Sequence, residues 1–300
     1  MELVKKIDIH VHTTRKLGPK RLDGTNYALP DQLCWMYDQV GIERGVLLPE
    51  ISPEGIHSFS TNADIQEIVE ARPNRFSWFC NIDPRVDNNT SETNFVYLLD
   101  YYKKLGAKGL GEITCNLYFD DERVFALLKA CEQCDMPIIF HMGHTNGEYG
   151  LIDDLGLPRL EKALKAFPKL KILGHSQRFW SHIGGDVNEE TRHGWPTGKV
   201  LPGGRVVELM RKYPNLCGDL SAGSGYNALT RDPEFAYAFM EEFQDQLYYG
   251  TDICAPENIA NPMLKLAAFL DEAVTNGKIS YEVYVKISRG NALRLLGETK

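Results

Sequence analysis

Two imidazoles separated by one residue, in Ile7-Asp8-Ile9-His10-Val11-His12, open this chain with the donor set of a divalent-metal site. Side chains of a strand alternate faces with a period of two, which projects Asp8, His10 and His12 together and turns Ile7, Ile9 and Val11 the other way. Two neutral imidazoles on one rigid element supply half of a zinc-type shell. Four more chemically capable residues close apolar runs further along. Glu112 stands in Gly-Leu-Gly-Glu-Ile, His141 in Pro-Ile-Ile-Phe-His-Met, His175 in Lys-Ile-Leu-Gly-His-Ser and Asp252 in Tyr-Tyr-Gly-Thr-Asp. Each is costly to bury without a partner, and six such groups at one end of a fold point to a shared cation.

The elements that must position them alternate along the chain. Apolar runs predict strands at 5–12, 45–50, 75–82, 107–113, 137–142, 171–175, 216–220 and 247–252. Amphipathic stretches predict helices at 31–40, 62–71, 91–105, 121–134, 158–167, 205–213 and 233–243. Eight strand-helix units of about 30–35 residues suit a (β/α)8 TIM barrel, expected as a single domain over residues 1–300. No Gly-x-Gly-x-x-Gly follows the first strand, as a doubly wound nucleotide fold would require. The long loops at 13–29, 51–61, 143–157 and 176–204 all follow strands, so they gather at the C-terminal face, where barrel active sites are built.

Composition narrows the function class. A net charge of −8 with dispersed lysines and arginines disfavours a nucleic-acid surface. No run approaches the roughly 18 apolar residues of a membrane span, and the charged start Met-Glu-Leu-Val-Lys-Lys lacks a signal-peptide core, so a cytoplasmic protein without membrane contact is expected. Seven scattered cysteines read as reduced thiols. The Cys131-Glu-Gln-Cys134 pair has redox spacing but falls inside a helical pattern.

The ordered set of His-x-His, His, His and Asp on strands one, five, six and eight resembles the amidohydrolase superfamily. The resemblance extends to the closing Lys286-Ile-Ser-Arg-Gly-Asn-Ala-Leu-Arg-Leu-Leu-Gly297 and favours the branch of aminocarboxymuconate-semialdehyde decarboxylase and dicarboxylate lactonases. It implies that His10, His12, His141 and Asp252 bind a divalent metal, with His175 either a ligand or a catalytic partner. Gly-Glu-Ile on strand four resembles TatD-type deoxyribonucleases, in which a glutamate bridges two metals; Glu112 is accordingly expected as a ligand. Zinc is the first expectation, manganese, iron or cobalt the alternatives, with one or two ions per chain.

The implied chemistry is hydrolysis of a small ester, lactone or amide by water activated at the cation, with Asp252 and His175 as the catalytic residues. The alternative is a lyase, a non-oxidative decarboxylase or hydratase of an unsaturated or aromatic carboxylic acid. The expected partner is a small carboxylic acid derivative, and a homodimer is the default assembly. Arg178, Asp219 and Tyr226 are expected to bind substrate, Arg178 by gripping a carboxylate with its planar fork. His144, His182 and His193 belong to loops of the same face, and Asp83 and Ser221 to strand ends; His57 reads as a surface residue.

Overall fold

The computed structural model describes residues 2–54, 59–261 and 264–298; His57 lies outside them. Eight parallel strands run in chain order: β1 (Lys6–Val11), β2 (Ile42–Leu47), β3 (Phe76–Trp78), β4 (Leu110–Ile113), β5 (Ile138–His141), β6 (Ile172–His175), β7 (Leu216–Asp219) and β8 (Leu247–Tyr248). They form an arc of three, β1-β2-β3, and an arc of five, β4 to β8. Backbone hydrogen bonds join the arcs at both seams. Gly111 N–H donates to Cys80 O across one at 2.9 Å, and Ile9 N–H donates to Tyr249 O across the other at 3.0 Å. The architecture is the TIM barrel expected from the alternating pattern.

Helices cover the outside. Those at α1 (Pro30–Val40), α2 (Asn62–Ala71), α3 (Phe95–Lys104), α4 (Glu122–Gln133) and α5 (Pro158–Ala166) follow the expected pattern. Their starts are chemical: Thr61, Asn94 and Asp121 each accept a hydrogen bond from an N–H of the first turn. The short α6 (Gln177–Ser181) and the later α8 (Ala222–Thr230) fold stretches read only as loop, and α7 (Arg205–Lys212) lies between them. After α9 (Pro233–Glu242) come α10 (Lys265–Thr275), α11 (Tyr281–Val285) and α12 (Asn291–Leu295). Cys131 and Cys134 fall in and just after α4, and burial pushes the Cys131 thiol well above its usual range, which leaves it unreactive. No helix among the described residues is long and apolar enough to cross a membrane.

The core has two layers. The larger lies between strands and helices and includes Val11, Leu33, Met36 and Tyr37. The smaller fills the barrel, where Ile7, Ile9, Val46, Ile139 and Leu173 meet Ala292 and Leu293 of α12. This distribution corrects the expected facing of β1. Ile7 and Ile9 belong to the barrel interior and Val11 to the outer layer, while Asp8 points outward to accept a bond from Tyr37 Oη at 2.7 Å. The pleat changes phase between Ile9 and His10, within a register shift against β2. Asp8 makes that possible: its Oδ1 accepts the His10 N–H at 3.0 Å and the Thr251 N–H at 2.9 Å, two donors the irregular ladder leaves over. The same contact ends β8 early, at Tyr248 rather than Asp252, because Thr251 is claimed by a side chain and Asp252 turns to φ 56°.

Candidate metal centre

Beyond the phase change, His10 and His12 point into the mouth of the barrel with their Nε2 atoms 3.0 Å apart. Their orientation is set from behind. His10 Nδ1–H donates to Asp219 Oδ2 at 2.6 Å and His12 Nδ1–H to Leu48 O at 3.0 Å, which leaves both Nε2 lone pairs facing inward. His175 holds the same pose, with Nδ1 2.9 Å from Ser221 Oγ and Nε2 3.7 Å from both Glu112 and Asp252. His141 presents Nδ1 to Glu112 Oε1 at 2.9 Å.

Glu112 is the hub. Its carboxylate lies 3.6 Å from His10 Nε2, 3.6 Å from His12 Nε2, 2.9 Å from His141 and 3.7 Å from His175. Asp252 Oδ1 lies 3.6 Å from His10 Nε2 and 3.4 Å from His12 Nε2. Three overlapping donor groups result, each with atoms within 4.8 Å of one another: His10–His12–Glu112, His10–His175–Asp252 and Glu112–His141–His175. The structure thus brings together all six residues read from the sequence as ligands.

The donor chemistry fits a divalent cation. Burial opposes a charge on His10, yet Asp219, Glu112 and Asp252 outweigh it and raise its pKa to about 10. Burial likewise opposes charge on Glu112, but the surrounding imidazoles, His10 foremost, hold its carboxyl well below the usual range. Desolvation together with the charge of His10 lowers His175 to about 4. The ionised carboxylates thus draw a proton onto His10, and a divalent cation held by these donors would supply that positive charge in its place and leave the imidazoles neutral.

A cavity of about 320 Å³ opens over this cluster. His12, Glu112, His141 and Asp252 form its floor, and Arg21, Glu50, Ser52 and Tyr149 contribute walls. Arg21 stacks on Tyr27, 4.6 Å from the ring centroid, and donates from Nη1 to Cys254 O at 3.2 Å. Glu50 accepts from Tyr27 Oη and stands 3.3 Å from His12 Nδ1.

The residues expected to bind substrate sit elsewhere. Asp219 is fully buried beneath His10, so its carboxylate orients that imidazole instead of facing the cavity. Arg178, on α6, is buried in an ion pair with Glu148 and donates from Nε to His193 Nδ1 at 3.0 Å. Tyr226, on α8, packs against the outer core layer. Asp83 is bound by Ser52 and Arg85, while His144 stacks on His193 at 4.1 Å. The sequence reading missed Arg21, Glu50 and Tyr149. Arg21 and Tyr149 lie on long loops already placed at the correct face, and Glu50 ends the second apolar run, but residue type alone did not separate them from solvated neighbours.

The amidohydrolase family profile matches residues 7–297. The chain belongs to the amidohydrolase family. Among curated proteins, none matches it. Solved structures share the amidohydrolase fold at low identity. A 5-carboxyvanillate decarboxylase from Sphingomonas paucimobilis is 17% identical, with a TM-score of 0.62 over 99% of this chain and 100% of that one. A dihydroxybenzoic acid decarboxylase from Polaromonas sp. JS666, holding manganese and the inhibitor 2-nitroresorcinol, is 17% identical, with a TM-score of 0.61 over 98% and 97%. A protein assigned as a 2-pyrone-4,6-dicarboxylic acid hydrolase from Acinetobacter baumannii, with citric acid bound, is 14% identical, with a TM-score of 0.54 over 98% and 100%.

Proposed function

We propose that this amidohydrolase is a metal-dependent hydrolase of a small ester, lactone or amide bearing a carboxylate. The observation that carries the reading is Glu112, which stands within reach of four imidazoles at once. A carboxylate so placed can be shared by two ions, one held also by His10, His12 and Asp252, the other by His141 and His175. Zinc suits these donors, and manganese occupies a structural neighbour. A bound divalent cation supplies Lewis acidity toward a carbonyl and a lowered pKa for water.

This chain's own groups do the rest. Asp252 borders the cavity, a quarter exposed, and is placed to take a proton from the attacking water and return it to the leaving group. With a single ion that does not engage His175, its Nε2, 3.7 Å from Asp252, would serve as the second acid-base group beside it. Arg21 brings a planar guanidinium to the cavity wall and suits a substrate carboxylate. The size of the cavity restricts the substrate to a small molecule.

A second reading, non-oxidative decarboxylation, is favoured by the two neighbours named as decarboxylases and by an arginine able to hold an acid in place. There Asp252 would deliver the proton that replaces the lost carboxylate. The test uses protein reconstituted with zinc or manganese against carboxylated lactones, esters and hydroxybenzoic acids, following acid release and carbon dioxide separately. Acid release without carbon dioxide supports hydrolysis, and carbon dioxide supports the lyase. No turnover of either class by fully metallated protein would overturn both.

A further inference from the structure

The aromatic wall of the cavity is held in place from outside it. Tyr149 packs against His141 with ring centroids 4.4 Å apart and ring planes tilted by 47°. The turn that carries it folds back on the end of β5, where Gly143 N–H donates to Leu151 O at 2.9 Å and Leu151 N–H to His141 O at 2.8 Å. The closure is tight enough to demand glycine: a Cβ on Gly150, at φ 111°, would stand 2.5 Å from Gly143 N and 2.9 Å from His141 Cδ2.

Two side chains fasten this turn. From the segment after β4, Asn116 Nδ2 reaches the carbonyls of His144 at 2.9 Å, Glu148 at 2.5 Å and Gly150 at 3.3 Å. From α6, Arg178 pairs with Glu148, the residue next to Tyr149. Arg178 is itself immobilised by burial and by its bond to His193. A buried guanidinium aimed at a half-exposed carboxylate across 30 residues of sequence is a directional, charge-assisted contact. It ends on the loop whose Tyr149 lines the cavity beside His141.

We propose that Arg178 and Glu148 are positioning residues that hold Tyr149 against His141 as a fixed aromatic wall of the cavity, and so make the pocket selective for flat, conjugated acids over flexible ones. The selectivity rests on the carboxylate-substrate reading above; the pinning does not. A planar acid stacks on a fixed ring without ordering it first, whereas a freed ring must lose its own rotational freedom on every binding event.

The test uses full-length, manganese-loaded protein with Glu148→Gln, Arg178→Lys and the charge-reversed pair Glu148→Arg with Arg178→Glu. Hydrogen exchange of peptides spanning 143–151 is expected to rise roughly tenfold in Glu148→Gln, less in Arg178→Lys, and to fall back in the reversed pair. Calorimetry should show 2,6-dihydroxybenzoate binding weakened roughly tenfold by Glu148→Gln while succinate changes little, with metal content unchanged throughout. Unchanged exchange in both single variants would mean that Asn116 alone holds the loop and would overturn the pinning. Equal losses for the two acids would overturn the selectivity. If wild type binds neither acid, the carboxylate reading and the selectivity fail together, and the exchange data still decide the pinning.

Discussion

At the residue scale, four imidazoles gather around Glu112 and Asp252, and those of His10, His12 and His175 have their outer nitrogens already committed. Asp252 differs from them as a carboxylate that is a quarter exposed at the cavity, open to exchange a proton there. Asp252→Asn retains a weak oxygen donor but accepts no proton. Turnover should fall by roughly 10²–10⁴ while metal content falls far less; activity within a few-fold of wild type, with metal retained, would move the base to His175. Glu112→Gln keeps shape and removes charge, so protein that takes up two ions in excess metal should take up one. Elemental analysis or anomalous scattering gives the count, and a single ion in both proteins would exclude the shared-carboxylate arrangement. All six donors were legible in the sequence because each is a polar residue that ends an apolar run. The groups around them were not. Whether Asp219 faces a substrate or a histidine depends on packing between β7 and β1, which are 209 residues apart at the Asp219–His10 bond.

At the element scale, the alternation of strand and helix gave the barrel, but period-two logic failed within β1. A strand that must fill the barrel with Ile7 and Ile9 and then aim His10 and His12 into its mouth has to slip phase, and the slip is set by Asp8 and Thr251 in three dimensions. Strand β6 meets a comparable demand with glycine. A Cβ on Gly174 would stand 2.4 Å from the Phe179 ring of α6. Gly174→Ala should therefore cost about 1–3 kcal/mol and weaken metal binding by displacing His175, as read from urea unfolding and metal titration. Just past α6, His182 is buried, its Nδ1 spent on Arg178 O at 2.7 Å. Burial lowers its pKa from 6.5 to about 4. The unfolded chain then binds a proton that the native state refuses, so this residue's contribution to stability is intact above about pH 6.5. It declines as pH falls toward 4, where the loss reaches about 3 kcal/mol. His182→Asn should flatten the acid limb of stability against pH by that amount; an unaltered limb would mean that other groups set it.

At the scale of the whole molecule, ligands and core are separate populations. The inner cluster fills the barrel below His10 and His12, and the donors sit above it at the rim. Replacing His10 and His12 together with alanine should abolish stoichiometric metal binding and leave a folded, cooperative barrel by circular dichroism. Retained metal in that variant would refute the centre as described. The arrangement of the two arcs adds a mechanical consequence. His10 and His12 belong to the three-stranded arc, whereas Glu112, His141 and His175 belong to the five-stranded one and Asp252 follows its last strand. The Asp252 N–H also donates to His10 O at 2.8 Å, so two of the proposed donors themselves stitch the seam. Backbone hydrogen bonds already close the barrel at both seams, and an ion held by the proposed donors of both arcs would add a crossbar over its mouth. On that reading, removing the ion would loosen the rim where the donors meet and leave the hydrogen-bonded barrel beneath it closed.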